Sequence, residues 1–303
     1  MSSKQTQGAA EMASAMLISG TIGWFVITAQ QPEVVVVFWR CVFGAVALVV
    51  ICAAIGVLRR EVIARHQLAL AAAGGLAVVL NWLLLFAAFP RASISIATTI
   101  YNTQPFMLVI LGALLLGERI TAIKIAWLAL AFLGVVALAE SGSTSSATGS
   151  EYHAGIMLAL AAAFFYAITA VVAKKLAGVP PIIVVLIQVC VGAVTLAPFA
   201  FVNDMPSSSE AWALLAILGV VHTGIVFVLL YRGIQKLPTH VTGALSFIYP
   251  VVAMIVDALA FGQRLRPMQI AGAALVLFAA AGTTFGWSPG RRLRQWLAAS
   301  KSC

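Results

Sequence analysis

The sequence predicts an all-α integral membrane protein of ten transmembrane helices, arranged as two inverted five-helix repeats. Three observations carry this reading. Hydrophobic residues fill 62% of 303 positions and only 9% are Asp, Glu, Lys or Arg, against about a quarter charged in a soluble domain. Apolar runs of bilayer length recur along the chain, each bounded by turn residues. The second half restates, at a nearly constant offset, the prolines and charged turns of the first.

A helix needs about 20 apolar residues to cross the hydrocarbon core. Such runs fall at 12–30, 34–58, 68–89, 93–116, 121–139, 154–173, 181–202, 211–231, 239–261 and 268–287. The first follows a polar stretch, residues 1–11, without a small-residue cleavage site, so it reads as a retained span and not a removed leader. Pro32 separates spans 1 and 2, and RREVIARH separates spans 2 and 3. Then come Pro90-Arg91, the turn Gly117-Glu118-Arg119, the polar run ESGSTSSATGSEY, KKLAGVPP, NDMPSSSE, RGIQKLPTH and GQRLRP. Gly, Pro and small polar residues of this kind end helices. The repeats are expected at 12–139 and 154–287, with 1–11 and 288–303 as cytoplasmic tails.

The formal charge of +9 sits in short groups between spans, not along one polar face. Charge placed this way reports topology and not nucleic-acid binding. With the amino terminus inside, the inner segments hold Lys4, Arg59, Arg60, Arg65, Arg119, Lys124, Lys174, Lys175, Arg232, Lys236, Arg291, Arg292, Arg294 and Lys301, whereas the outer ones hold Arg91, Arg264 and Arg266. Both termini are therefore expected in the cytoplasm, with the protein multi-pass in the inner (plasma) membrane. The basic tail GRRLRQWLAASKSC suits the anionic inner leaflet. Cys41, Cys52, Cys190 and Cys303 lack metal-ligand spacing, and the three inside apolar runs read as inert core residues.

Sliding the chain by 145 residues lays Arg91 on Lys236, Pro105 on Pro250, Leu114 on Leu259 and Gly117-Glu118-Arg119 on Gly262-Gln263-Arg264. A slightly different offset lays Pro32 on Pro180 and Arg40 on Gln188. Five spans per half is an odd number, so the second half lies upside down relative to the first. Inverted repeats are a recurring plan of secondary transporters, with the solute site near the midplane.

These residues resemble the drug/metabolite transporter superfamily, in particular its ten-helix bacterial branch of paired EamA domains. The resemblance rests on Trp39-Arg40 in span 2, on Pro105 through Gly117-Glu118-Arg119, and on Pro250 through Gly262-Gln263-Arg264, and it covers about 12–287. Gln263 stands where the second-half motif usually has an acid, and the Trp-Gly pair common in span 1 is reversed as Gly23-Trp24. The resemblance implies export of small metabolites, with amino acids the first choice, through a cavity lined by spans 1, 3, 4, 6, 8 and 9. Drug-like cations, nucleosides and sugar-related metabolites are the alternatives, and a non-transporting membrane scaffold is the remaining one.

Candidate site residues follow from polar groups placed at depth. Span 4 carries Thr98, Thr99, Tyr101, Asn102, Thr103 and Gln104 before Pro105, and span 9 carries His240, Thr242, Ser246 and Tyr249 before Pro250. Each proline removes a helix bond and is expected to kink its span, exposing carbonyls that only protein or a wet cavity tolerates. Tyr101, Asn102, Ser246 and Tyr249 are thus offered to a solute or to neighbouring helices. Trp24 in span 1 and Tyr166 in span 6 hold comparable mid-span positions, with Asn81 and Trp82 in span 3 and His222 in span 8 at similar depth. Trp82 and Phe165 serve equally as bulk. His222 is a candidate for proton coupling or for neutral hydrogen bonding.

Asp257, near the outer end of span 9, is a proton carrier or counter-charge candidate that Arg264 or Arg266 can also pair. Arg40 lies six residues into span 2, roughly 9 Å at the helical rise. Its side chain can snorkel to the interface beside Trp39, or attract an anionic group of the solute or an acid in one state. Glu118 and Arg119 read as a turn and helix-start device.

No GxxxxGK[ST] loop, HExxH or GxSxG motif occurs, so neither ATP drive within the chain nor an enzyme is indicated, and no cofactor or metal is called for. The expected partners are a small-molecule solute and the lipid bilayer. Gly282 and Gly286, at GxxxG spacing, suit either a homodimer or packing within one chain.

Overall fold

The computed structural model describes residues 3–57, 63–92, 94–140, 150–203, 205–261 and 267–287. These residues form helices joined by turns and short irregular segments. Span 1 is split into α1 (Ser3–Ser19) and α2 (Ile22–Ala29), followed by α3 (Glu33–Ala54) and α4 (Arg65–Ala92). Span 4 is split into α5 (Ile94–Tyr101) and α6 (Gln104–Leu116), and α7 (Ala122–Glu140) ends the first half. The second half has α8 (Ser150–Lys175), α9 (Pro181–Ala200), α10 (Ser209–Ile217), a π-helical stretch Leu218–Ile225, α11 (Val226–Lys236), α12 (Thr239–Ser246), α13 (Ile248–Phe261) and α14 (Pro267–Thr284). Among the described residues nine segments are long and apolar enough to cross a bilayer, and Ala122–Ala137 in α7 is a shorter apolar helix.

Local chemistry sets the boundaries. Gln30, at φ 48°, closes α2, and Pro32, held extended at φ −54° and ψ 144°, launches α3. Pro180 repeats this before α9 at φ −54° and ψ 125°, so the two prolines aligned between halves do the same work. Gly117 adopts φ 68° after α6, a conformation that a Cβ disfavours.

The first helix begins at Ser3, so most of the expected tail 1–11 is drawn into α1. Gly8 is buried there, and a Cβ on it would lie 2.8 Å from that of Lys236. These polar residues form a helix because the second half supplies partners for them, which no reading of hydropathy reveals.

Each span packs chiefly on a span of the other half. α4 lies along α8, α1 along α11, α3 along α9, α6 against α12 and α7 along α14. The first two pairs, spans 3 with 6 and 1 with 8, are one contact exchanged between repeats, as duplication requires. Small residues allow the close approaches: a Cβ on Gly134 of α7 would lie 2.7 Å from the Gly272 carbonyl of α14. One large apolar core joins α1, α3, α4, α8, α9 and α11, and a second joins α6, α7, α12, α13 and α14.

The outer surface is apolar. Leu114 and Leu259, matched by the repeat offset, are 73% and 81% exposed, which suits contact with lipid tails and not water. Cys41 and Cys52 are buried, but Cys190 is exposed on α9, so it is not the core residue expected. Gly282 packs under the Trp127 indole, where a Cβ would meet ring atoms at 2.5 Å. Gly286 follows α14 at φ 64°. The GxxxG pair therefore serves packing and helix termination within one molecule.

Candidate functional site

Spans 4 and 9 break where the repeat offset says they should. α5 ends at Tyr101 and α6 starts at Gln104, while α12 ends at Ser246 and α13 starts at Ile248. Pro105 and Pro250 were expected to kink continuous helices. They stand instead in the first turn of α6 and of α13, where a missing N–H breaks no helix bond. The Asn102 N–H reaches the Thr98 carbonyl at 3.0 Å, and the Asn102 side-chain amide donates to that same carbonyl at 2.7 Å. Asn102 is fully buried, with Oδ1 unpartnered, as are Thr103 Oγ1 and Gln104 Oε1.

Around these breaks spans 3, 4, 6 and 9 bring polar and aromatic groups together. Asn81 of α4 donates to the Tyr101 hydroxyl at 3.1 Å and to the Ala162 carbonyl of α8 at 2.8 Å. The Tyr101 and Tyr166 rings meet edge to face, 6.1 Å between centroids. The Tyr166 hydroxyl makes no hydrogen bond of full strength, only a weak one with Ser246, whose own hydroxyl donates to the Thr242 carbonyl at 3.0 Å. Tyr249 is close enough to Tyr101 to interact electrostatically with it. Asn81, Tyr101, Tyr166, Ser246 and Tyr249 thus form one cluster.

A second group gathers where spans 1, 2, 3 and 8 meet. The π-helical stretch of span 8 presents His222, whose Nε2 lies 2.8 Å from Thr21 Oγ1 at the break between α1 and α2. The aromatic ring packed on His222 is Phe25, at 4.9 Å. Trp24 stands edge-on to Phe25 and is partly exposed. The Thr223 hydroxyl donates to the Leu218 carbonyl five residues back at 2.9 Å and accepts from Arg40 Nε at 3.1 Å. Here the widened turn and the buried cation share one hydroxyl.

Arg40 does not snorkel. It is fully buried, and its guanidinium lies over the Trp82 ring, 4.4 Å from the centroid, because α3 is wedged between α4, α9 and span 8. Trp39 turns away to meet Trp212 at 4.6 Å. The mirrored Gln188 is also buried and accepts from the Tyr231 hydroxyl at 2.5 Å. Rings of Trp82, Phe227 and Tyr231 stack edge to face in between, so an aromatic column joins Arg40 to its mirror position. Thr223, Phe227 and Tyr231 escaped the sequence reading, which had only the Gln188 alignment as a signal. The side chain of Asp257 lies outside the described ones.

At the end of the bundle that carries most basic residues, two ion-paired groups tie the halves together. Glu118 takes Lys174 Nζ at 2.5 Å and accepts from the Thr239 N–H and hydroxyl at 3.0 and 2.7 Å. It is a helix-start device, as expected, but for α12 of the other repeat and not for α7. Burial alone would raise its carboxyl, yet the hydrogen bonds from Lys174 and Thr239 and the Lys174 charge outweigh that and hold it below the ordinary 4.5. Glu11 of α1 pairs with Arg232 at 2.9 Å and Lys236 at 2.7 Å.

Broken helices facing each other across a duplicated helical bundle, around a buried polar and aromatic centre, define a multi-pass membrane transporter. The model of the EamA-like transporter family matches residues 7–139 and again 153–285, so the chain belongs to that family, one of transporters and not enzymes. It is 28% identical to an uncharacterized transporter, YxxF, of Bacillus subtilis, over 91% of this chain and 89% of the relative. A probable amino-acid metabolite efflux pump of Salmonella typhimurium is 28% identical over 66% of this chain and 70% of its own. The aromatic amino acid exporter YddG of Ancylobacter novellus is 25% identical over 65% and 70%. A crystal structure 22% identical in sequence superposes with a TM-score of 0.81 over 92% of this chain and 96% of that one, a likeness of fold.

Proposed function

We propose that this protein is a secondary exporter of small metabolites, amino acids foremost, working by alternating access around the cluster of Asn81, Tyr101, Tyr166, Ser246 and Tyr249. The observation that carries the reading is the pair of matched breaks in spans 4 and 9, which bring a weakly bonded Tyr166 hydroxyl and the Tyr101 phenol between them. A structural role alone would satisfy such groups. Rocking of the repeats would present them to either side, with both termini in the cytoplasm and the protein in the inner membrane. Relatives named for amino-acid efflux support the solute class. A buried guanidinium within electrostatic reach of Tyr101 disfavours a drug-like cation.

Counterflow in proteoliposomes tests this. Vesicles loaded with each of a panel of unlabelled amino acids should take up trace labelled solute saturably, with at least a tenfold loss in Tyr101→Ala and Tyr249→Ala of unchanged monodispersity. Absence of exchange with every amino acid rejects the solute class.

A further inference from the structure

Arg40 holds a permanent charge at a fully buried position. Its Nε is committed to Thr223, which fixes the plane of the guanidinium, and Trp82 supports one face. Nη1 and Nη2 bond nothing, and among the described residues no carboxylate pairs with them. A charge left this way is normally unaffordable in a protein interior. The mirrored position is neutral: there Gln188 carries no charge, its Oε1 accepts from Tyr231 and its Nε2 is left without a partner.

We propose that Nη1 and Nη2 of Arg40 receive a carboxylate of the transported solute. This rests on the transport reading and names the solute class within it. The guanidinium bonds Thr223 of the π-helical stretch directly and is close enough to interact electrostatically with Tyr101 of the span 4 break, so a solute seated on it would lie near both irregular elements. The planar fork matches two carboxylate oxygens. One cation balances one carboxylate, whereas a phosphate dianion would leave net negative charge buried among tyrosines.

The test uses purified full-length protein in lipid nanodiscs and follows thermal unfolding with matched probes. L-Phenylalanine, 3-phenylpropionate and phenylpyruvate are compared with L-phenylalaninamide, phenethylamine and phenyl phosphate, and L-leucine with L-leucinamide. Carboxylates should raise the unfolding temperature and the amides and amine should not. Arg40→Gln, which installs the residue of the mirrored position, should weaken apparent carboxylate affinity at least tenfold while unfolding, unliganded, no earlier than wild type. Arg40→Lys keeps charge without the fork and should fall between.

The proposal is overturned if amides stabilise as well as acids, if phenyl phosphate stabilises more than the acids, if no carboxylate stabilises the wild type, or if Arg40→Gln binds acids unchanged. It is also overturned if Asp257→Asn destabilises the wild type but not Arg40→Gln, which would make Asp257 the counter-charge. Failed amino-acid counterflow with stabilisation by phenylpyruvate removes the amino-acid reading and leaves Arg40 in place. Successful counterflow that Arg40→Gln does not alter does the reverse.

Discussion

Glu118 and Thr239 stand in different repeats, and the carboxylate of the first closes the opening turn of the helix that the second begins. The Thr239 N–H and hydroxyl both donate to it, and Lys174, bridging to the Leu237 carbonyl at 2.7 Å, locks the same corner. Gly112 sits against this corner, with a Cβ there placed 2.7 Å from Thr239 Cγ2. One turn of span 4 is thereby fastened to the start of span 9.

Glu118→Gln should cost about 1–2 kcal/mol, the worth of charged hydrogen bonds partly retained by an amide. The carboxyl is held below 4.5, so its stabilisation is complete above that value and is lost as pH falls through the depressed one. Thermal unfolding between pH 7 and pH 3 should show a steeper decline for wild type than for the glutamine variant. Parallel curves would show that this carboxylate carries no linked stability.

Gly134→Leu should destabilise by roughly 1–3 kcal/mol, the usual cost of overpacking, because the Gly272 carbonyl and the Val276 side chain occupy the space. Chemical denaturation in mild detergent reads this directly. A neutral result would mean that α7 and α14 separate freely.

Tyr166→Phe should leave stability within about 0.5 kcal/mol, since the hydroxyl has only a weak bond with Ser246 to lose. Its effect should appear as a raised KM in solute exchange. Loss of stability without a kinetic change would return Tyr166 to a packing role.

Asn81→Leu should cost about 1–3 kcal/mol by stripping the Tyr101 hydroxyl and the Ala162 carbonyl of one donor. Asn81→Gln, unable to keep both bonds, should recover little of it. Unfolding temperatures of the three proteins decide the matter.

Thr21→Val removes the hydroxyl paired with His222 Nε2. The variant leaves the imidazole without its side-chain partner at Nε2, and exchange should fall more than stability does. Equal losses in both would assign the pair to structure alone.

The ten spans and their duplication were legible because length of apolar run and helix punctuation are properties of the chain itself. Pro105 and Pro250 located the breaks to within three residues for the same reason. Azimuth was not legible. Trp24 and Phe25 differ by one residue, which on a helix is about 100° of rotation, and only the neighbouring span decides which ring meets His222. The π-helical turn was equally hidden, since LGVVHTGI reads like any apolar run and gains its extra residue from packing Gly219 against Arg40 and Phe43. Arg40 was singled out by its charge, but its burial follows from helices that sequence places at a depth and not in a direction.

The exchange of partners between repeats has a consequence for synthesis. When α7 has been inserted, five spans are in the membrane and nearly every face built for packing still confronts lipid, since α8, α9, α11, α12 and α14 have yet to be made. The amino-terminal half must wait, inserted but unassembled, until its inverted counterpart arrives, and a ribosome stalled after residue 140 would leave a product whose packing faces have no partner.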